Sequence, residues 1–314
     1  MRFIVLIFIM GIGGCSAPKP QKVTIAINPW PGYEVLYLAQ ELGYLQNDIL
    51  TIELVEVMTL ADSQRAYLSG NVDGFASTLV EAIQVEAFGG QPVQVLLLAD
   101  YSNGGDVILA QPDIKSMVDL KGKLVGCEVS VLGIYILSRA LAFNDMTLDD
   151  VEVVNVEQGD SYSMMQSGSI NAMVTYAPFM TGTLSIPGVH RVFSSREIPM
   201  EILDVISMSR DVIDAQPTLV GTLREAWDKS LQFLEETPDV AIDIMAKRER
   251  VTSEEFLSSL AMIKLLSVAE QQQKLAQLDT LSAMGLDICE RLINIGSITS
   301  SCQHVYQLFY QDGQ

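Results

Sequence analysis

Residues 23–27 alternate apolar and polar side chains as a half-buried strand does, and Pro29, Pro31 and Gly32 then turn the chain into a helix that stops at Gly43. Residues 51–57, 74–76 and 93–98 read as further strands. Helical spacing covers 62–68 and 79–88, the second helix closed by Gly89 and Gly90. The plan repeats over 124–193, with strands at 124–129, 151–154 and 172–175 and helices at 134–143, 162–166 and 178–184. Strands alternating with helices at this spacing predict an α/β fold of parallel sheets with crossover helices. One more strand, 205–208, precedes a helical remainder over 217–236, 241–247, 254–265 and 271–283.

The two blocks echo each other. Ser69-Gly70-Asn71-Val72-Asp73-Gly74-Phe75-Ala76-Ser77-Thr78 aligns without gaps against Ser167-Gly168-Ser169-Ile170-Asn171-Ala172-Met173-Val174-Thr175-Tyr176. In each, a glycine ends a helix, a polar turn follows, a strand passes, and a hydroxyl residue meets the next helix. Ser77 and Thr175 thereby fall at equivalent strand ends, where α/β sheets bind ligands. The same logic pairs the Trp30–Tyr33 turn with the segment from Ser130 to Tyr135. The 205–208 strand is expected to rejoin the first sheet, so that two crossings, near 101–106 and 196–204, join two lobes as a hinge.

The stretch NPWPGYEVLYLAQELGYL, residues 28–45, organises the rest. A strand, a tight turn and a helix start present free backbone N–H groups to a ligand, and Trp30 and Tyr33 add flat apolar faces. The same residues also read as an ordinary strand–helix connection with core aromatics.

Composition adds limits. Hydrophobic residues at 49% and charged residues at 18% describe a globular chain, and a net charge of −20 argues against nucleic acid as a partner. Residues 1–14 read as a signal peptide, with Arg2 ahead of an apolar run too short to span a bilayer. Its end, Ile12-Gly13-Gly14-Cys15, resembles the bacterial lipoprotein lipobox. That resemblance implies cleavage before Cys15, lipidation of its thiol and a membrane anchor, with 15–22 as a tether. In an oxidising compartment Cys289 and Cys302 are close enough to bridge a short loop, although two free thiols fit the sequence equally. Cys127 reads as a buried, inert thiol.

Several motifs in order resemble one family. They are NPWPGYE with LYLAQELGY, SGNVDGFASTLVEA, DYSNGGD (100–106), DLKGKLVGCE (119–128), GSINAMVTYAPF (168–179) and FSSREIPMEILDV (193–205). Together they are similar to the solute-binding proteins of ABC importers for nitrate, taurine, aliphatic sulfonates and thiamine precursors. The resemblance implies a bilobal periplasmic-binding-protein type II fold, with 23–103 and 205–314 forming lobe 1 and 104–204 forming lobe 2. By position it implies a cleft of Trp30, Tyr33, Ser77, Thr78, Tyr101, Asn103, Asp106, Ser130, Tyr135, Tyr176 and Asp204. Bland readings stand beside these: core tyrosines, serines that only cap helices, and aspartates that only pair at the hinge. One departure is Ala177, where many relatives carry glutamate before the proline.

The implied role is to bind a small solute between the lobes outside the cytoplasm, as a lipid-anchored monomer, and deliver it to an ABC permease. A membrane sensor receptor is the alternative partner. The cleft loops contain no lysine or arginine, Arg65, Arg139 and Arg196 being the nearest. This favours a nitrogen heterocycle or organic cation over a small organic anion such as a sulfonate. No enzyme, cofactor or metal is expected, since hydrolase, P-loop and zinc signatures are missing and the only histidines are His190 and His304.

Overall fold

The computed structural model describes residues 20–129 and 132–311, and Cys15, the signal segment and Ser130 lie outside them. Eleven strands form two sheets among these residues. In chain order the strands are β1 (Gln21–Ile27), β2 (Leu50–Glu56), β3 (Gly74–Thr78), β4 (Val93–Ser102), β5 (Asp106–Ala110) and β6 (Leu124–Cys127). Then come β7 (Glu152–Asn155), β8 (Ala172–Tyr176), β9 (His190–Ser194), β10 (Leu203–Ser209) and β11 (Ile263–Leu265). The helices that bear on the site are α1 (Glu34–Glu41), α2 (Leu60–Leu68), α3 (Leu79–Ala87) and α4 (Leu132–Ala142).

The first sheet runs β11-β4-β10-β3-β1-β2 and the second β7-β6-β8-β5-β9. Both are mixed rather than purely parallel. β1 pairs in parallel with β2 and β3, and β6 pairs in parallel with β7 and β8. Antiparallel β10 then lies against β3, as antiparallel β5 lies against β8. The echo is therefore topological as well as sequential: β3 and β8 occupy the same place in their sheets. Gly70 and Gly168, near the start of the two echoed segments, share a left-handed φ of 69° and 70°, which glycine adopts without steric cost.

Alternation along β5 explains how the second sheet is covered on both faces. Val107 and Leu109 join one buried cluster with Met173 and Met180, whereas Ile108 and Ala110 belong to the cluster of Val125, Val174 and Phe193. The strand after the second crossing does join the first sheet, between β3 and β4.

Several elements differ from what the sequence predicts. β1 starts at Gln21 because Gln21 and Lys22 pair with Leu50 and Thr51 through backbone bonds, although both side chains are exposed. The stretch 254–265 divides into a helix, Ser253–Leu260, and β11, which pairs with the edge of β4. The stretch after 268 is likewise two helices, Val268–Leu275 and Leu278–Asn294. β5 and β9 are short runs with no periodicity to announce them. Among the described residues no helix is long and apolar enough to cross a membrane.

Cys289 and Cys302 are bonded to each other and tie the last helix to the segment that follows it. Cys127 is a buried thiol whose pKa burial pushes up to about 12. Reduction, or Cys302→Ser, is expected to lower unfolding stability by about 3 kcal/mol, the chain-entropy value for so short a loop. Denaturant titration with and without reductant measures it, and coincident midpoints would contradict it.

Candidate functional site

The site begins with a row of polar side chains across three neighbouring strands. Asp204 on β10 is in register with Thr78 on β3 and with Asp100 on β4, so hydroxyl, carboxyl and carboxyl stand side by side at one end of the first sheet. Over this row folds the Trp30–Tyr33 turn. The Tyr33 hydroxyl donates to Asp204 Oδ1 at 2.5 Å, and Trp30 Nε1 lies 3.2 Å from both carboxylate oxygens of Asp100. Gly32 is what permits this closeness: a Cβ there would stand 1.8 Å from Asp100 Oδ2. The turn is held from behind by Glu34, fully buried, with Arg248 Nη1 at 3.0 Å.

The second sheet supplies the facing wall. Asp106 opens β5 in register with Tyr176 at the end of β8, repeating the pairing of Asp204 with Thr78 in the first half. Trp30 and Tyr176 meet edge to face across the halves, ring centroids 6.2 Å apart. The cavity between these walls is lined by Asn28, Trp30, Tyr33, Leu60, Thr78, Asp106, Leu132, Tyr176 and Asp204. None of these residues is lysine or arginine.

The electrostatics follow from burial. Desolvation pushes the Asp106 carboxyl up to about 7, against the pull of the Ser102 hydroxyl. Asp204 is driven well above the carboxylate range, first by burial and then by Asp100 beside it. Glu81 and Glu128, behind the walls, are each raised by burial to about 7. Two buried acceptors of lining residues have no hydrogen-bond partner, Asn28 Oδ1 and Asp106 Oδ2, while the Asp204 carboxyl shares a hydrogen bond with Asp100 beside it. A buried acceptor without a donor is costly, so the arrangement suits a guest that brings N–H or positive charge.

Two helix starts that face the opposite half are already capped. The Leu60 N–H at the head of α2 points to the Tyr176 hydroxyl at 3.4 Å, and the Leu132 N–H at the head of α4 donates to Glu81 Oε1 at 2.7 Å. The arginines nearest in sequence are likewise engaged elsewhere. Arg65 pairs with Asp62, Arg139 binds Glu201 through two nitrogens, and Arg196 donates to the Asn103 carbonyl.

Of the residues expected from sequence, Trp30, Tyr33, Thr78, Asp106, Tyr176 and Asp204 come together around the cavity. Four do not. Ser77 is buried and its hydroxyl donates to the Thr78 carbonyl, and Tyr135 donates to Glu201 away from the cavity. Tyr101 follows Asp100 on the strand and so takes the other face, while Asn103 is exposed on the crossing. Sequence reasoning misses Asn28, Leu60, Leu132 and the supporting Asp100. Asn28 and Asp100 sit in motifs already singled out, but nothing local marks Leu60 and Leu132.

Residues 30–241 match the family described as NMT1/THI5 like. A binding protein from Brucella abortus strain 2308 is 27% identical over 233 residues, covering 73% of this chain and 71% of that one. A thiamine biosynthesis protein from Haemophilus influenzae is 28% identical over 156 residues, covering 49% of each chain. Among solved structures, the periplasmic aliphatic sulphonate binding protein SsuA from Escherichia coli superposes with a TM-score of 0.75 at 16% identity, covering 93% of this chain and 98% of that one.

Proposed function

Since the chain belongs to the NMT1/THI5-like family and has the periplasmic-binding-protein fold, we propose that it is the extracytoplasmic solute-binding component of an ABC importer. Its two halves, 23–103 with 205–314 and 104–204, close on one small solute and present it to the permease. The cavity between a wall from each half is the observation that carries this reading. On this reading the chain acts as a monomer held to the membrane through a lipid on Cys15. Metabolic labelling with palmitate, lost in Cys15→Ser, tests the anchor.

The solute is a nitrogen heterocycle or organic cation. Unpartnered Asn28 and Asp106 oxygens call for donors, the paired acids Asp100 and Asp204 favour positive charge, and Tyr176, which accepts from Leu60, keeps its own proton for a ring nitrogen. Trp30 and Tyr176 offer aromatic surface to a flat ring or a cation. The Haemophilus relative's association with thiamine biosynthesis points toward a heterocycle. The sulphonate of SsuA fits less well, because a sulphonate needs donors and the first N–H of each facing helix already has a partner in the opposite wall. Calorimetry with a panel of aminopyrimidines and quaternary amines, against taurine and nitrate, decides between them. Binding of taurine or nitrate alone would overturn the proposed ligand class.

A further inference from the structure

Glu81 lines no part of the cavity, yet it holds both of its walls. Its carboxylate is fully buried and forks in two directions. Oε2 accepts the Thr78 N–H at 3.0 Å and the Thr78 hydroxyl at 2.6 Å, closing the capping box of its own helix α3. Oε1 accepts the Leu132 N–H at 2.7 Å, at the start of α4 in the other half. Thr78 and Leu132 both line the cavity, one from each half.

The contact has a mirror. Tyr176, which aligns with Thr78 in the internal echo, meets the Leu60 N–H at the head of α2. Each half thus uses the end of an equivalent strand, β3 or β8, or the first turn beyond it, to cap a helix of the opposite half. Of the two, the Glu81 bond is the shorter and carries a carboxylate against a helix N-terminus, where negative charge is favoured.

We propose that Glu81 is the positioning residue of closure: through the Leu132 N–H it latches the second half onto the first and sets the two walls of the solute site against each other. This rests on the reading of the cavity as a closing solute cleft, but it concerns the protein alone and not which solute enters. A local cap of α3 would need only Oε2. The second oxygen, buried and committed to the other half, is what a purely local role leaves without a reason.

The chain itself supplies the discriminating variant. At the head of α2, Asp62 closes the same capping box with Thr59, so an aspartate is long enough for the local task. Glu81→Asp should therefore keep the cap of α3 and withdraw from Leu132, whereas Glu81→Gln should weaken both. The experiment is amide hydrogen exchange, read residue by residue by NMR on the full ligand-free chain. In Glu81→Asp the Leu132 amide is expected to exchange about tenfold faster or more, the range for losing a hydrogen bond to a charged group. The Val80 amide, held by the Thr78 hydroxyl at 3.2 Å, should keep its protection. Unchanged exchange at Leu132 overturns the proposal. So does equal acceleration at Leu132 and Val80, which would make Glu81 a cap of α3 and nothing more. Because no solute is added, failure here leaves the solute titrations standing, and failure of those titrations leaves this result standing.

Discussion

Asp204→Asn is expected to weaken binding of an amine-bearing solute by about ten- to hundredfold, and Asp106→Asn by a similar factor, the range for one charge-assisted hydrogen bond. The two residues are equivalents. Asp204 faces Thr78 across β10 and β3, Asp106 faces Tyr176 across β5 and β8, and Thr78 aligns with Tyr176 in the repeat. Asp204 stands on the first sheet and Asp106 on the second; Asp106 keeps a buried oxygen without a partner, and Asp204 is held only by Tyr33 and its fellow acid Asp100. A guest that satisfies both carboxyls adds its bonds to the Glu81–Leu132 contact that already joins the two walls without it, so binding and closure reinforce each other. The double variant should then lose less than the sum of the singles, because the first substitution already frees the guest from one wall. Asparagine keeps an oxygen for the Tyr33 hydroxyl, so Asp204→Asn tests charge rather than the fold of the turn. Calorimetry on the aminopyrimidine and quaternary-amine panel measures all three variants. Equal or tighter binding in Asp204→Asn would mean that the solute does not use this carboxylate.

Part of this site is legible in the amino-acid sequence, and the boundary of that part has a physical cause. The Trp30–Tyr33 turn, Thr78 and Tyr176 each sit where a strand ends and a helix begins, a junction that Pro, Gly and hydroxyl residues mark locally. Asp106 and Asp204 are reachable from sequence only because the crossings between the halves run past the cavity. What escapes is set by register. Asp100 is one acidic residue at the end of an apolar run, and only the pairing of β10 with β4 puts it beside Asp204 under the indole of Trp30. Its neighbour Tyr101 is the more conspicuous side chain in the motif, yet strand alternation turns it to the other face. Tyr135 stands where Tyr33 stands in the first block, but along α4 it faces Glu201. Glu81 shows both limits at once. Thr78-x-x-Glu81 is a capping box that sequence can propose, whereas its bond to Leu132 joins residues 51 positions apart. The strands β5 and β9 escape for the reason that hides Leu60 and Leu132: short apolar segments have no period to read, and their meaning is fixed by what packs against them.

The free protein should be most stable near pH 5 and lose stability toward pH 8, by about 5 °C or more in Tm at a few °C per kcal/mol. The sign follows from the raised carboxyls. Asp106, Glu81 and Glu128 are held up to about 7 by burial, and Asp204 is raised in the same direction. In the unfolded chain such groups titrate near ~4. Between those values the folded state binds more protons, so the stability they contribute is complete below the lower value and is lost as pH rises through the upper one. The opposite set, Asp119, Asp150, Glu255 and Glu270, is lowered by hydrogen bonds from backbone N–H groups, helped at Asp150 by Lys121. Their contribution is lost only as pH falls below the ordinary carboxylate range, so scans between pH 5 and 8 isolate the buried acids. A permanently cationic solute reverses the trend. It needs Asp106 and Asp204 ionised, so its binding releases protons and its affinity should rise with pH, by up to about tenfold per pH unit for each proton released. Thermal unfolding at pH 5, 6.5 and 8, with and without a quaternary amine from the panel, reads both slopes in one experiment. A free protein whose Tm rises from pH 5 to 8 would show that these carboxyls are not buried as the structure has them. A cation whose affinity ignores pH would show that it does not sit between them.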